Sequence, residues 1–275
     1  MSAARGPDFR LGPALLFCPA DRPDRYLKAR ERSDAVILDL EDAVAPESRA
    51  SAREALRSRP LDPATTIVRV NAAGTPDFEA DLAALAQTDY RMVLLAKAES
   101  TAQLEGLEGF AVIALCENAR GVMAAPALAA CENVVALMWG AEDLIASLGG
   151  TSSRDGAGRY RDSARHARST VLLSAKAAGK AAIDAVHLAI DDEEGLSAEA
   201  RDAAASGFDA TACIHPRQVA LVREAYRPSE AELADAEELL TAAQGQAGVF
   251  SFRGRMVDAP VLRHAETVLR RAGMD

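Results

Sequence analysis

The 275-residue chain has little of several residue types, and each shortage excludes a class of protein. Its four cysteines form no CxxC pair and most lie in apolar runs, a pattern typical of reduced, buried thiols rather than of a disulfide framework. No run of about 18 apolar residues is present, so the sequence predicts no membrane span. With 31 basic and 41 acidic residues, the net charge of −10 argues against a nucleic-acid or anionic-membrane surface.

Three further absences narrow the classes of function. Residues 1–12 contain no apolar segment of the signal-peptide kind, which together with the cysteine pattern predicts a cytoplasmic location. No GxGxxG motif follows the first apolar run, so nothing supports a dinucleotide site. Only four lysines are present, so each can be considered as a catalytic candidate.

Eight short runs rich in Val, Ile, Leu and Ala recur along the chain, and helical patterns separate them. Near-continuous apolar runs without strict alternation are typical of buried parallel strands. The runs are residues 14–20, 35–42, 66–72, 92–98, 111–118, 134–143, 182–190 and 209–216. Eight alternating β and α units predict a (β/α)8 TIM barrel over residues 1–226, with an open doubly wound sheet as the alternative.

The remaining chain, residues 227–275, exceeds the needs of a barrel. A helix is predicted over residues 228–246, a Gly-containing stretch over 245–254 and a second helix over 259–272. We expect this C-terminal helical extension to be a lid over one barrel end or an arm that reaches a neighbouring subunit.

Charged and polar residues lie at the carboxyl ends of six of the eight runs. They are Asp39, Glu41 and Asp42; Arg69 and Asn71; Lys97 and Glu99; Glu117 and Asn118; Glu142 and Asp143; and His215. In a barrel these ends converge on one face, which holds the active site in characterised examples. Because buried charges are costly unless they are paired or bound to metal, this many acids implies a counter-ion.

Glu117 and Asp143 are the candidate metal ligands. Proteins usually bind Mg²⁺ through one or two carboxylates and leave its other coordination positions to water and substrate. The absence of a His or Cys cluster makes zinc less favoured. The alternative is that both residues cap helices that follow their strands. Spacing alone leaves the two interpretations open.

The basic candidates have alternatives of the same kind. Arg69 can grip a carboxylate with two parallel hydrogen bonds or form an internal ion pair with Asp39 or Glu41. Lys97 can form a Schiff base with a carbonyl substrate, although a structural ion pair with an acid is favoured. His215 can act as a base, although a hydrogen-bonded core histidine is more common.

Three candidates lie outside these strand ends. Arg22 and Lys28 follow the first run and can bind phosphate at the barrel mouth or form a solvated helix face. Asp258 precedes the final predicted helix, where a lone acid is usually a cap.

Seven segments, in order, resemble the citrate lyase beta-subunit-like proteins, relatives of malyl-CoA and citramalyl-CoA lyases in the phosphoenolpyruvate/pyruvate-type barrel superfamily. The segments are LFCPADRP (16–23), AVILDLEDAV (35–44), VRVN (68–71), KAES (97–100), ENARG (117–121), GAEDL (140–144) and IHP (214–216). The resemblance runs from residue 14 to the end of the chain. One departure is Ala96, where relatives often have proline before the lysine.

The resemblance implies a role for each matching residue. Glu117 and Asp143 match Mg²⁺ ligands, and Arg69 matches the arginine that holds the carboxylate of the oxo- or hydroxy-acid. Asp39, Glu41 and Asp42 match acids that position metal-bound waters and Arg69. Arg22 and Lys28 match positions that bind coenzyme A phosphates, and Lys97 and Asp42 are counted with the substrate-binding residues. Asp258 matches a lid aspartate that acts as general acid/base and comes from a neighbouring subunit, which implies a homotrimer or a dimer of trimers.

The implied reaction is the cleavage of a 3-hydroxyacyl-CoA, such as malyl-, citramalyl- or 3-hydroxy-3-methylglutaryl-CoA, into acetyl-CoA and an oxo-acid by a retro-Claisen step. It can run in reverse, or as a synthase if thioester hydrolysis follows. Three alternatives remain open: a citrate lyase beta subunit acting on an acyl-carrier-protein thioester in a complex, a Schiff-base aldolase using Lys97, and a hydrolytic barrel acting on a phosphate ester.

Overall fold

Eight parallel strands close into a barrel in the order in which they occur along the chain. The computed structural model describes residues 9–246 and 248–273. The strands are β1 Ala14–Pro19, β2 Ala35–Asp39, β3 Thr66–Val70, β4 Met92–Leu95, β5 Ala111–Cys116, β6 Val134–Trp139, β7 Ala181–Asp184 and β8 Ala210–Cys213. The predicted TIM barrel is confirmed, and the open doubly wound sheet is wrong because β8 pairs with β1.

The strands are shorter than the apolar runs that predicted them. The sixth run extends to residue 143, but β6 ends at Trp139 and a helix begins at Ala141. The seventh run extends to residue 190, but β7 ends at Asp184. Apolarity marks burial rather than hydrogen-bonded pairing, so buried loops and helix starts are indistinguishable from strand in such a run.

One row of alternate side chains from every strand fills the barrel interior. Leu15, Ile37, Ile67 and Ile113 belong to this single buried cluster. Because successive side chains of a strand point to opposite faces, residues two places further along the same strand also point inward. This alternation determines which of the residues at the strand ends reach the barrel mouth.

An α-helix follows each strand except β4, where the predicted helix is replaced by the 3-10 helix Thr101–Leu104, and local signals set the helix ends. The α-helices up to residue 226 are α1 Tyr26–Arg32, α2 Arg49–Ser58, α3 Pro76–Leu85, α4 Ala119–Ala129, α5 Ala141–Ser147, α6 Asp162–Ala177, α7 Glu193–Ser206 and α8 Pro216–Tyr226. The Thr75 side chain caps α3 and the Asn118 side chain caps α4. Helix α7 ends at Gly207, whose φ of 106° favours glycine. None of the described helices combines the length and the apolarity that crossing a membrane requires.

The chain divides into two compact units between Val222 and Arg223, within α8. The second unit contains α9 Glu230–Ala243, the strands β9 Phe250–Phe252 and β10 Arg255–Val257, and α10 Ala259–Ala272. It has an apolar cluster of its own, built around Leu239, Val257 and Ala265. The two strands form a hairpin whose turn places Arg253 and Gly254 at positive φ.

Candidate active site

Alternation carries three of the predicted site residues to the inside of the barrel mouth. Asp39 ends β2 two residues after Ile37, Arg69 lies two residues after Ile67, and Glu117 follows β5 two residues after Leu115. The preceding residues all belong to the interior cluster. On three strands, the inward-facing row of apolar residues therefore ends in one charged residue. These three charged residues meet at the barrel mouth.

Asp39 and Arg69 form a bidentate ion pair. Arg69 Nε and Nη2 donate to the two Asp39 carboxylate oxygens at 2.7 and 2.6 Å. The same oxygens accept from the main-chain N–H groups of Glu41 at 2.9 Å and Ala43 at 3.1 Å. With both oxygens engaged and only 1 % of the residue exposed, Asp39 anchors the arginine and the loop after β2.

The remaining guanidinium nitrogen faces the other acids after β2. Arg69 Nη1 lies 3.1 Å from Glu41 Oε2 and 3.9 Å from Asp42 Oδ2. The guanidinium also lies over the Phe17 ring, with its carbon 5.0 Å from the ring centroid. Of the two alternatives for Arg69, the structure contains the internal ion pair with Asp39, which leaves Nη1 on the side of Glu41 and Asp42.

Lys97 forms an ion pair with Glu41, and its Nζ lies 3.7 Å from Asp42 Oδ1. Burial acts to lower the pKa of Lys97, but the hydrogen bond to Glu41 and the negative charges of Glu41 and Asp42 together outweigh it, and the pKa is raised. For Glu41, burial raises the pKa, and the charge of Arg69 and the hydrogen bond from Lys97 lower it by less. The lysine therefore acts in the site as a cation, which is the role that the sequence favoured over a nucleophile.

Glu117 is the most perturbed acid of the site. Its residue is 2 % exposed, and its Oε1 accepts from the main-chain N–H of Lys97 at 2.9 Å. Burial, reinforced by the negative charge of Asp143, raises the pKa of Glu117 to about 8. The interpretation of Glu117 as a helix cap is wrong, because the neighbouring Asn118 caps α4 through its bond to the Gly121 N–H at 2.8 Å.

Gly140 provides the space in which the Glu117 carboxylate lies. A Cβ at position 140 would be 2.9 Å from Glu117 Cβ and 3.0 Å from Glu117 Oε2. The Gly140 backbone, with φ of −123° and ψ of 123°, is extended and open to any residue. The glycine is therefore required for the approach of Glu117 and not for the conformation of the chain.

Asp143 lies in the first turn of α5, three residues after Gly140, rather than at the end of a strand. Together Glu117 and Asp143 offer only carboxylate oxygens, the donor type that suits Mg²⁺. In residues 9–246 and 248–273 no group of three or more His, Cys, Asp and Glu side chains has a metal-binding arrangement. A two-carboxylate set fits Mg²⁺, which keeps several waters and accepts substrate oxygens. We call Asp39, Glu41, Arg69, Lys97, Glu117 and Asp143 the acidic site.

Three candidates, Arg22, Lys28 and His215, have no contact with the acidic site among the hydrogen bonds and ion pairs that the described residues form. Arg22 is exposed and pairs with Asp24 at 3.2 Å, and Lys28 is exposed on α1. The main-chain N–H of His215 donates to Gln218 Oε1 at 3.2 Å, and its Nδ1 accepts from the Arg217 N–H at 3.3 Å.

Asp258 belongs to the second unit, where its Oδ1 caps α10 by accepting from the Val261 N–H at 3.3 Å. The cap that the sequence indicated at this position is therefore present.

A second group of buried charges was not predicted. Arg168 donates to both Asp184 oxygens, with Nη2 2.8 Å from Oδ2, and the Trp139 indole donates to Asp184 Oδ1 at 2.6 Å. Glu199 pairs with Arg154 and lies 2.9 Å from His187 Nδ1. We call Arg168, Asp184, Arg154, Glu199 and His187 the paired cluster. Asp184 was hidden because the seventh apolar run continues past it; the correct strand end would have identified it.

The fold and these groups together are typical of a barrel enzyme whose charged residues meet at the carboxyl ends of its strands. Residues 14–216 match the model of the HpcH/HpaI aldolase/citrate lyase family, and the chain belongs to this family.

The relatives extend over nearly the whole chain. A citrate lyase subunit beta-like protein of Mycobacterium tuberculosis is 60% identical, covering 95% of this chain and 96% of the relative. A mitochondrial citramalyl-CoA lyase of Homo sapiens is 31% identical, covering 93% of this chain and 84% of the relative. A crystal structure of CitE from Mycobacterium tuberculosis, in complex with magnesium, acetoacetate and coenzyme A, matches with a TM-score of 0.93 and 59% identity and covers 96% of this chain and 98% of that one.

Proposed function

We propose that this protein is a Mg²⁺-dependent carbon–carbon lyase that cleaves a 3-hydroxyacyl-CoA, of the malyl- or citramalyl-CoA type, into acetyl-CoA and an oxo-acid. The observation that carries the proposal is the buried Glu117, whose pKa the nearby charge of Asp143 raises further, with no ion-pair partner for either carboxylate among the described residues. The magnesium and coenzyme A of the relative's complex, and the lyase names of the relatives, support the same chemistry.

Glu117 and Asp143 would hold the metal. A bound Mg²⁺ would orient the hydroxyl and carboxylate oxygens of the acid half of the substrate and acidify the hydroxyl. The protein keeps Glu117 oriented through the Lys97 N–H and the space at Gly140. Raised pKa values in a cleft are typical of groups that bind metal or exchange protons.

Arg69 would hold the carboxylate of the acid half through Nη1. Its Nε and Nη2 are fixed on Asp39, so the guanidinium is held in one orientation before substrate arrives. Glu41 and Asp42, which face Nη1 and Lys97, would adjust to the substrate and its bound waters. Such prior orientation lowers the entropy cost of reaching the reactive geometry.

Two parts of the proposal concern groups away from the acidic site. Exposed Arg22 and Lys28 are proposed to bind the phosphates of coenzyme A. Asp258 is proposed as the acid/base that exchanges a proton with the acetyl-CoA carbon, in a homotrimer or a dimer of trimers where a neighbouring subunit supplies it. The assembly and the cytoplasmic location stay predictions.

The Schiff-base alternative is disfavoured by the charge on Lys97. A nucleophilic lysine must lose its proton, and enzymes that use one lower its pKa by burial or by a neighbouring cation. Here the carboxylate of Glu41 raises the pKa of Lys97 instead.

The test is a panel of 3-hydroxyacyl-CoA dicarboxylates incubated with Mg²⁺ or with EDTA. Mass spectrometry would follow the release of acetyl-CoA and of the oxo-acid. We expect release with at least one substrate that EDTA abolishes and Mg²⁺ restores. Product release that resists EDTA, together with a Schiff base on Lys97 that borohydride traps, would establish the aldolase instead. Turnover only of an acyl-carrier-protein thioester would establish the citrate lyase subunit.

A further inference from the structure

The chain makes an unusual turn at Lys97, immediately after β4. The φ of Lys97 is 52°, in the left-handed region that side chains other than glycine rarely adopt. If β4 continued, Lys97 would share the outer face of the barrel with Val93 and Leu95, since Leu94 points inward. The left-handed turn breaks this alternation by redirecting the chain beyond Lys97, and the main-chain N–H of Lys97 donates to the Glu117 carboxylate.

Neighbouring contacts hold the turn on both sides. The Ala96 N–H donates to the Val70 carbonyl of β3 at 3.4 Å, whereas the Ala98 N–H donates to the Leu115 carbonyl of β5 at 3.0 Å. The Ala98 carbonyl lies so near α4 that a Cβ at Gly121 would be 2.3 Å from it. The chain thus changes partner strands across Lys97, and packing leaves no room for the turn to relax toward α4.

We propose that Lys97 is a positioning residue that acts through its main chain. Its left-handed turn places the following N–H, that of Ala98, on the Leu115 carbonyl, so the Lys97 N–H donates to Glu117 Oε1 at 2.9 Å. This leaves Oε2, above Gly140, as the oxygen presented to a metal. The inference rests on the proposed role of Glu117 as a metal ligand. It assigns the selection of the ligating oxygen to backbone conformation and not to the lysine ammonium, which pairs with Glu41.

The test separates the main chain from the side chain with variants that all lack the ammonium. Lys97→Gly and Lys97→Asn tolerate a left-handed backbone, whereas the β-branched Lys97→Val does not. Binding of Mn²⁺ would be measured directly by electron paramagnetic resonance on the full chain, with folding checked by circular dichroism. We expect the Gly and Asn variants to bind alike and the Val variant to bind at least about tenfold more weakly, the usual effect of losing a group that orients a ligand.

A merely structural role for Lys97 would change the melting temperature but not the Mn²⁺ affinity of the folded variants. Equal affinity in the Gly, Asn and Val variants would overturn the proposal. If Lys97→Val does not fold, Lys97→Ala replaces it and should bind more weakly than Lys97→Gly; equal binding of that pair would also overturn it. Failure of the unsubstituted protein to bind Mn²⁺ would instead refute the proposed function.

Discussion

The acidic site and the paired cluster lie at the carboxyl ends of the same barrel but on opposite faces of its sheet. Glu117 continues the inward row of Leu115, whereas Asp184 directly follows the inward Ile183 and so faces the helices. In the paired cluster each carboxylate meets a guanidinium, the buried Asp184 with Arg168 and the partly exposed Glu199 with Arg154.

The acidic site is not balanced in this way. It contains four carboxylates, those of Asp39, Glu41, Glu117 and Asp143, and two cations, Arg69 and Lys97. In the part of the chain that the structure describes, neither Glu117 nor Asp143 has a cation within ion-pair distance. The comparison teaches that buried acids alone do not mark a functional site; an inward acid without a paired cation does.

Glu117→Gln should produce the largest effect, because it removes the carboxylate that would ligate the metal without changing the size of the side chain. We expect Mg²⁺ binding to be lost and turnover to fall about 10³-fold, on the scale of several kcal/mol for metal stabilisation of a transition state. Calorimetric titration with Mg²⁺ and the thioester assay would measure both. The matched control is Glu199→Gln in the paired cluster, which should leave Mg²⁺ affinity unchanged; equal losses in the two variants would break the comparison.

Arg168→Met should act on stability rather than on function. It leaves Asp184 buried without its guanidinium, and breaking a buried pair costs about 3 to 5 kcal/mol. We expect about 3 kcal/mol, the lower end, because 17% of the Arg168 side chain is exposed. Urea denaturation would measure the free energy of unfolding. Loss of Mg²⁺ affinity in the folded variant would mean that the two clusters are coupled.

Asp258→Asn tests whether the reaction at the acidic site needs an acid/base from the second unit. Asparagine can still cap α10, so the melting temperature and Mg²⁺ affinity should stay unchanged. Turnover should fall about 10²-fold if Asp258 is the general acid/base. Mixing and reassembling Asp258→Asn with Glu117→Gln subunits should restore activity if a neighbour supplies the aspartate. Unchanged turnover in Asp258→Asn would remove it from the reaction.

The sequence predicted the number of strands and the place of the site better than it predicted where each strand ends. Apolar runs predicted all eight strands, and the acids after them predicted where charge converges. The ends of the strands were harder to predict, because Gly140 and Ala141 carry the sixth run on to the acids that follow it and residues 185–190 are apolar enough to extend the seventh. This error placed Asp143 on a strand instead of in α5 and hid Asp184. The pairing of Arg69 with Asp39 depends on side-chain geometry that no one-dimensional pattern contains.

The pH dependence of Mg²⁺ affinity gives the smallest of these effects. Burial and Asp143 raise the pKa of Glu117 to about 8, so in the metal-free protein a proton occupies this carboxyl below that pH and Mg²⁺ must displace it. Affinity should therefore weaken as pH falls, about tenfold between pH 9 and pH 7. Titration calorimetry in buffers of different ionisation enthalpy would also detect the released proton. His187→Gln, in the paired cluster, should leave this dependence unchanged, whereas a flat profile in the unsubstituted protein would show that Glu117 is already ionised when the metal arrives.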